Sequence, residues 1–197
     1  MSTFIKNCSG AILAGGENTR MPVLKAFIKV EGMPIIERSL KTYQPLFRDS
    51  IIVTNQPELY SQFGIKMLGD VCNIGGPMTG IFTSLINSSD PWVFVSACDM
   101  PFLNRDLIEH MASFRKGYEA VVPIQNGNPE PLHAFYSSRL ASSMEKALLS
   151  NNRALKDFLL SKKVKYLPVI DMIKHDPGAK SLINLNTPQD IKNYIKS

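Results

Sequence analysis

The chain has 197 residues, 44% of them hydrophobic and 20% charged, so it can bury about 70% of its unfolded surface as one domain without a disulfide or metal staple. That composition excludes disordered, collagen-like and coiled-coil chains. A net charge of +5 suits anionic ligands, but the cations are dispersed. Lys162, Lys163 and Lys165 form the densest group, so small phosphorylated ligands are expected rather than nucleic acid.

Ala11–Ala14 reads as a short buried strand ending in Gly15 and Gly16, with Arg20 and Lys25 following. Paired glycines after a strand let backbone N–H groups approach a phosphate closely, and the two cations can neutralise a triphosphate. The spacing is neither G-x-x-x-x-G-K-[ST] nor G-x-G-x-x-G. Pro34–Gln44 predicts a helix, with Pro34 in its first turn and Ile35, Ile36, Leu40 and Tyr43 on one face. Ile51–Thr54 predicts a second strand, Glu58–Phe63 a short helix, Ile65–Leu68 a third strand and Thr79–Ile86 a helix after a Gly-Pro turn. Trp92–Ala97 predicts a fourth strand. Asn104 then caps a helix to about Phe114, and Ala120–Pro123 predicts a fifth strand. Gln125–Glu130 is a turn-rich stretch expected as a mobile lid. Leu132–Tyr136 predicts a strand, Ser138–Leu149 and Ala154–Leu160 helices, and Val164–Pro168 and Ile183–Leu185 late strands. Pro188–Ile195 closes the chain as a helix with Thr187 as N-cap.

Alternation of strands and helices predicts a largely parallel sheet covered on both faces, with ligands at the strand carboxyl ends. Gly15-Gly16, Thr54-Asn55, Asp70 and Asp99 all fall at such ends and should meet in one crevice. Asp99 ends an apolar strand, where a carboxylate is costly without a partner. Mg²⁺ is the natural partner beside a triphosphate; the alternative, an N-cap, is weakened because Asn104 already fills that role. Gly75 to Gly80 form a rigid turn into a helix in which Gly80 leaves room for a planar base, or, taken alone, a plain left-handed turn. Asp70 can accept from a base or ribose hydroxyl, or is a plain strand-end acid. Asn186 can offer its amide oxygen to Mg²⁺ or substrate, or serve turn chemistry. His133 reads as a satisfied core or surface histidine. Cys98 has no neighbouring His base, so no nucleophilic thiol is expected. The three cysteines, Cys8, Cys72 and Cys98, are odd in number and not spaced like metal ligands, which predicts reduced thiols and a cytoplasmic address. No secretory signal opens the chain and no apolar run nears the roughly 18 residues of a membrane span, so no membrane association is expected.

Taken together, Leu13-Ala14-Gly15-Gly16, Arg20-Met21, Lys25, Asp70, Gly76-Pro77-Met78-Thr79-Gly80, Cys98-Asp99-Met100-Pro101 and Asn184-Leu185-Asn186-Thr187-Pro188 resemble, in order, the motifs of the molybdenum cofactor guanylyltransferases. The first loop alone marks a broad nucleotidyltransferase superfamily; the Gly-Pro-Met-Thr-Gly and Asn-Leu-Asn-Thr-Pro segments are more specific. The resemblance implies one α/β domain over residues 1–197, with three α/β/α layers of the nucleotide-diphospho-sugar transferase type. It implies transfer of GMP from GTP to molybdopterin, with pyrophosphate released and no protein nucleophile. Leu13, Ala14, Gly15 and Gly16 would line GTP, Arg20 and Lys25 would hold its phosphates, and Asp70, Gly76 and Gly80 would recognise the guanosine half. Asp99, with Asn186, would hold Mg²⁺. A polar position after the second strand falls on Thr54 or Asn55. Other cofactor-biosynthesis or acceptor proteins are implied partners. Two positions depart from the family pattern: Pro22 stands where Gly is usual, removing an N–H, and Leu24 where an acid is usual. A cytidylyl-transferring sister, a sugar-phosphate nucleotidyltransferase and a nucleotide-binding module without turnover are the alternatives.

Overall fold

Side chains alternate across strands and recur every three to four residues along helices, and these two periods sort the apolar residues into layers. The computed structural model describes residues 4–15, 24–151 and 153–194. In chain order the elements are β1 (Cys8–Leu13), β2 (Lys29–Val30), β3 (Met33–Pro34), α1 (Ile35–Tyr43), β4 (Ser50–Val53), β5 (Lys66–Leu68), α2 (Pro77–Asn87) and β6 (Trp92–Ala97). There follow α3 (Arg105–Ala112), β7 (Ala120–Gln125), β8 (Asn128–Pro129), β9 (His133–Ser137), α4 (Ala141–Leu149), α5 (Leu155–Leu160), β10 (Val164–Pro168), α6 (Val169–Met172) and α7 (Pro188–Tyr194).

The sheet order is β10-β7-β9-β6-β1-β4-β5, with β8 paired to β7. The run β6-β1-β4-β5 is parallel throughout. β9 lies antiparallel between β6 and β7, and β10 returns parallel to β7. The mostly parallel, doubly covered sheet is therefore as expected. On β1, Cys8 and Ile12 pack towards α1 and α3, through Ile36, Tyr43, Leu107 and Met111. Ala11 and Leu13 pack towards α2, α4 and α5, through Met78, Ile81, Met144 and Phe158. Covering both faces makes such a strand read as a continuous apolar run. Phe94 of β6 stacks on Phe47 at 5.7 Å and meets Phe135 at 4.9 Å between ring centroids. Its complete burial contributes about 1.5–3 kcal/mol. The Tyr43 hydroxyl reaches through this layer to donate to Ser96 Oγ at 2.8 Å, tying α1 to β6. At the start of α3, the Asn104 side chain accepts from the Leu107 N–H at 3.1 Å.

Several expected elements differ. Glu58–Phe63 is two 3-10 turns, Pro57–Leu59 and Ser61–Phe63, because so short a stretch cannot recover the cost of helix nucleation and Gly64 ends it in the left-handed region (φ 62°). The segment from Ser138 begins as a 3-10 turn and becomes α-helical only at Ala141. Gln125–Glu130 is not an irregular loop: Asn126 and Gly127, at φ 51° and 77°, make the two-residue hairpin turn between β7 and β8, whose twist suits such turns. Ile183–Leu185 is not a strand. A 3-10 turn (Lys180–Leu182) precedes it, and Leu185 has one ladder-like contact, its N–H donating to the Asp99 carbonyl at 2.9 Å. Its alternation instead reflects a strap. Leu185 is fully buried in a small cluster with Ile28, Val30 and Ile35.

Candidate active site

The carboxyl ends of the parallel strands open into a cavity of about 430 Å³. Each strand leaves a polar or small residue there because the chain turns away from the sheet and its next residues are no longer covered. β1 delivers Leu13, Ala14 and Gly15, β4 delivers Thr54, β6 delivers Cys98 and Asp99, and Asp70 follows β5 two residues on. Lys25, Gly76, Gly80 and Asn186 complete the expected set around the same cavity. Gly16, Arg20 and Pro22 lie outside the described residues. Leu24 also lines the cavity, an apolar side chain beside the lysine.

Lys25 is the hub. Its Nζ donates to Asp99 Oδ2 at 3.0 Å and to Asn186 Oδ1 at 2.5 Å. A 3-10 turn over Lys25–Phe27 presents it, and the strap brings Asn186 in from the far end of the chain. Strap packing explains the match: Leu185 is buried, so Asn184 and Asn186 on either side of it both turn towards the cavity. Asp190 accepts from the Asn186 and Thr187 N–H groups at 2.9 and 2.8 Å, and Thr187 Oγ1 accepts from the Asp190 N–H at 3.2 Å. This is a reciprocal cap on α7, so Thr187 caps as expected. Asp99 is only 13% exposed at its side chain, and its Oδ1 is buried with no hydrogen-bond partner. A buried carboxylate oxygen lacking a partner is costly, and hard cations take such oxygens. Asp99 therefore offers one unpartnered oxygen that a divalent cation could take, whereas Asn186 Oδ1 is held by Lys25 and would have to exchange that contact to join it. Among the described residues no group of three or more His, Cys, Asp or Glu is placed to hold a metal by itself.

The choice between Thr54 and Asn55 divides by role. Thr54 is buried and lines the cavity. Asn55 is exposed and does not line it. Its Nδ2 donates to Asp70 Oδ2 at 3.0 Å and its Oδ1 accepts from the Asp70 N–H at 2.9 Å, so it holds Asp70 in place. Gly76 adopts φ 118°, ψ 166°, a backbone region open essentially to glycine, which lets Pro77 start α2 at the cavity rim. Gly80 has a packing duty as well: a Cβ there would sit 3.1 Å from Leu13 Cδ2, so its absence permits α2 to close on β1.

Cys98 lines the cavity, but burial pushes its thiol up to about 12, so it stays protonated and is a poor nucleophile. His133 is a core histidine, as expected, but not a satisfied one. Neither ring nitrogen has a partner, and its ring meets Phe94 edge-on at 5.2 Å.

Several cavity residues were not expected from sequence, Gln56 and Tyr60 among them, and two of these, Glu130 and Asn184, are hydrogen-bonded to each other. Glu130 sits between Pro129 and Pro131 in the turn before β9, and burial pushes its carboxyl up from the usual carboxylate range. Asn184 donates to it through Nδ2 at 3.2 Å. Asn184 had a signal, since it stands two residues from Asn186 on an alternating strap. Glu130 had only its place at the end of the turn-rich Gln125–Glu130 stretch, because a Pro-Glu-Pro turn shows no periodicity.

A doubly covered sheet whose parallel strand ends gather a lysine, a carboxylate and an amide beside a glycine-started helix is the architecture of a nucleotidyltransferase. A family model described as the MobA-like NTP transferase domain matches residues 10–166. A protein of Clostridium perfringens (strain 13) named "Probable molybdenum cofactor guanylyltransferase" is 36% identical over 192 residues, covering 95% of this chain and 96% of its own. The molybdenum cofactor guanylyltransferase of Syntrophotalea carbinolica is 31% identical over 188 residues, covering 94% and 90%. The crystal structure of molybdopterin-guanine dinucleotide biosynthesis protein A from Archaeoglobus fulgidus superposes with a TM-score of 0.85 at 29% identity, covering 95% of this chain and 96% of that one. The chain belongs to the MobA-like NTP transferase family and is a nucleotidyltransferase of the molybdenum cofactor guanylyltransferase kind.

Proposed function

We propose that the protein transfers GMP from GTP to molybdopterin, forming the guanine dinucleotide cofactor and releasing pyrophosphate, as one nucleotidyltransferase domain working in the cytoplasm. The names of its relatives supply the reaction class, and the convergence of Lys25 with Asp99 and Asn186 is the observation that carries the site. An oxygen of the acceptor's terminal phosphate bonds to the α-phosphorus of GTP as the bond from that phosphorus to the β-phosphate bridging oxygen breaks. The bonding pair leaves with pyrophosphate. No protein nucleophile enters, in keeping with the protonated Cys98 thiol.

The chain's residues then act by position and charge. Leu13, Ala14 and Gly15 border the phosphate path, and Lys25 meets negative charge that grows on the leaving group. Arg20 is proposed to add a second cation there. Asp70, held by Asn55, and the Gly76–Gly80 turn border the guanosine end, with Thr54 closing its floor. Asp99 and Asn186 would hold Mg²⁺, which when bound supplies charge against the triphosphate. Among the described residues no helix is long and apolar enough to cross a membrane, and Cys8, Cys72 and Cys98 are free, which supports the cytoplasmic proposal. Other cofactor-biosynthesis proteins are proposed as sources or recipients of the pterin.

The test is pyrophosphate release with a molybdopterin-loaded carrier, Mg²⁺ and GTP, CTP or ATP in turn. GTP is expected to be favoured by at least about tenfold, about 1.4 kcal/mol of differential transition-state binding. Equal turnover of CTP would move the protein to the cytidylyl branch.

A further inference from the structure

We infer that Glu130 and Asn184 form the acceptor-reading end of the pocket, the Glu130 carboxylate receiving the paired N–H donors on the 2-amino-4-oxo edge of the pterin. The inference rests on the guanylyl-transfer reading above. It begins with strand order. Across the mouth of the cavity run β5, β4, β1, β6 and β9, so the cavity residues lie in the sequence Asp70, Thr54, Gly15, Asp99 and then Leu132 with Glu130. Donor and acceptor phosphates must meet where Lys25 and Asp99 join. If the nucleoside lies towards Asp70, the acceptor approaches from the β9 side, and Glu130 is the acid on that side.

Glu130 is built to receive donors. Its backbone is fixed twice, its N–H donating to the Pro123 carbonyl at 2.9 Å and its own carbonyl accepting from the His133 N–H at 3.3 Å. Its carboxylate accepts from the Leu132 N–H at 3.3 Å and Asn184 Nδ2 at 3.2 Å. A carboxylate offers about four acceptor positions, so about two stay open beside the cavity. Among the described residues no cation forms an ion pair with it: the ion pairs are Lys25–Asp99, Arg38–Glu31, Lys41–Glu37 and Arg105–Glu109. Two parallel neutral N–H donors are the complement such a group lacks, and the amino group and adjacent ring N–H of a pterin present that pair. Asn184 also borders a second cavity of about 710 Å³.

Guanine carries the same two-donor edge, so the test must separate the two substrates. In the full chain, with GTP and molybdopterin-loaded carrier both varied, Glu130→Gln is expected to raise the acceptor KM by roughly tenfold, because an amide presents a donor where an acceptor is required. The GTP KM should stay within about twofold and kcat at saturating acceptor within about threefold, the split expected for lost ground-state binding. An unchanged acceptor KM, or a rise in the GTP KM instead, overturns the inference. If Glu130→Gln melts early, Asn184→Ala, which leaves the carboxylate in place but unheld, carries the same comparison with a smaller rise. Absence of wild-type turnover would strike the guanylyl-transfer reading rather than Glu130. Titration of molybdopterin fluorescence would then decide separately, and equal affinity for wild type and Glu130→Gln would overturn the assignment.

Discussion

The two sides of β6 build the site by different means. Towards β5 the chain repeats one device: a parallel strand, buried and apolar in β1 and β4 and half-buried in β5, runs to its carboxyl end and the next residues, Gly15, Thr54 and, after β5, Asp70, meet in the cavity. Towards β9 no strand end does this. Glu130 stands on a turn before an antiparallel strand, and Asn184 and Asn186 ride a strap with one ladder-like bond to the sheet. In the first half topology places the chemistry, as in open parallel sheets generally. In the second half local packing does, through Leu185 buried against Ile28 and Val30. Asp99 and Lys25 lie where the halves join.

The largest effect is expected at that junction. Asp99→Asn keeps the shape of the side chain and removes a charge whose Oδ1 has no partner, so the fold should hold. Turnover should fall by roughly a hundredfold or more if Asp99 anchors transition-state charge neutralisation. A thermal melt beside a pyrophosphate-release assay checks this. A variant that melts far below wild type yet keeps its specific activity would make Asp99 a structural residue. Lys25→Ala should instead raise the GTP KM and lower kcat together, since its charge meets phosphate in both ground and transition states.

His133 tests the β9 half through stability. Burial pushes its pKa down to about 3, whereas an unfolded-chain histidine titrates near 6.5. The unfolded state therefore binds the proton first. Above about pH 6.5 the ring is neutral in both states and adds no pH-dependent cost, and stability is lost as pH falls from there towards 3. Between pH 7.5 and 5.5 the loss should be about 1.4 kcal/mol. His133→Phe removes the titration, so urea unfolding at the two pH values should show a flatter slope. The variant's absolute stability also carries a repacking change, so the slope is what decides. Equal slopes would mean that His133 takes a proton in the folded state without penalty.

The contrast between the halves also explains what could be read from the chain. Apolar runs revealed the strands because both sheet faces are covered, and polar residues just past them marked Gly15, Thr54, Asp70 and Asp99. The direction of β9 was not legible, because a pleated apolar strand looks alike in either direction. Ile183–Leu185 alternates like a strand, yet its period comes from one buried leucine between two cavity-facing asparagines. The turn-rich stretch ending at Glu130 was legible but the side chain's place in the cavity was not, because its orientation is set by backbone bonds to Pro123 and His133, contacts that no local pattern encodes.

The smallest effect concerns a residue that touches the cavity only through another. Asn55 is exposed, and both ends of its amide are spent on Asp70. If the parallel half needs strand ends alone, Asn55→Ala should change nothing. If Asp70 must be aimed, the variant frees a carboxylate that water can stabilise at this partly exposed position, so folding stability should barely move. The cost should fall on the nucleoside, as a rise of roughly threefold to fivefold in the GTP KM with kcat and the acceptor KM unchanged. Asn55→Asp is the sharper form of the same test. It keeps the acceptor for the Asp70 N–H but sets two carboxylates against each other, and like charges at hydrogen-bond distance repel. Its GTP KM should therefore rise more than that of Asn55→Ala, with the excess shrinking as salt screens the repulsion. Identical KM values for both variants, or a rise in the acceptor KM instead, would show that Asp70 is not aimed by Asn55 at the nucleoside.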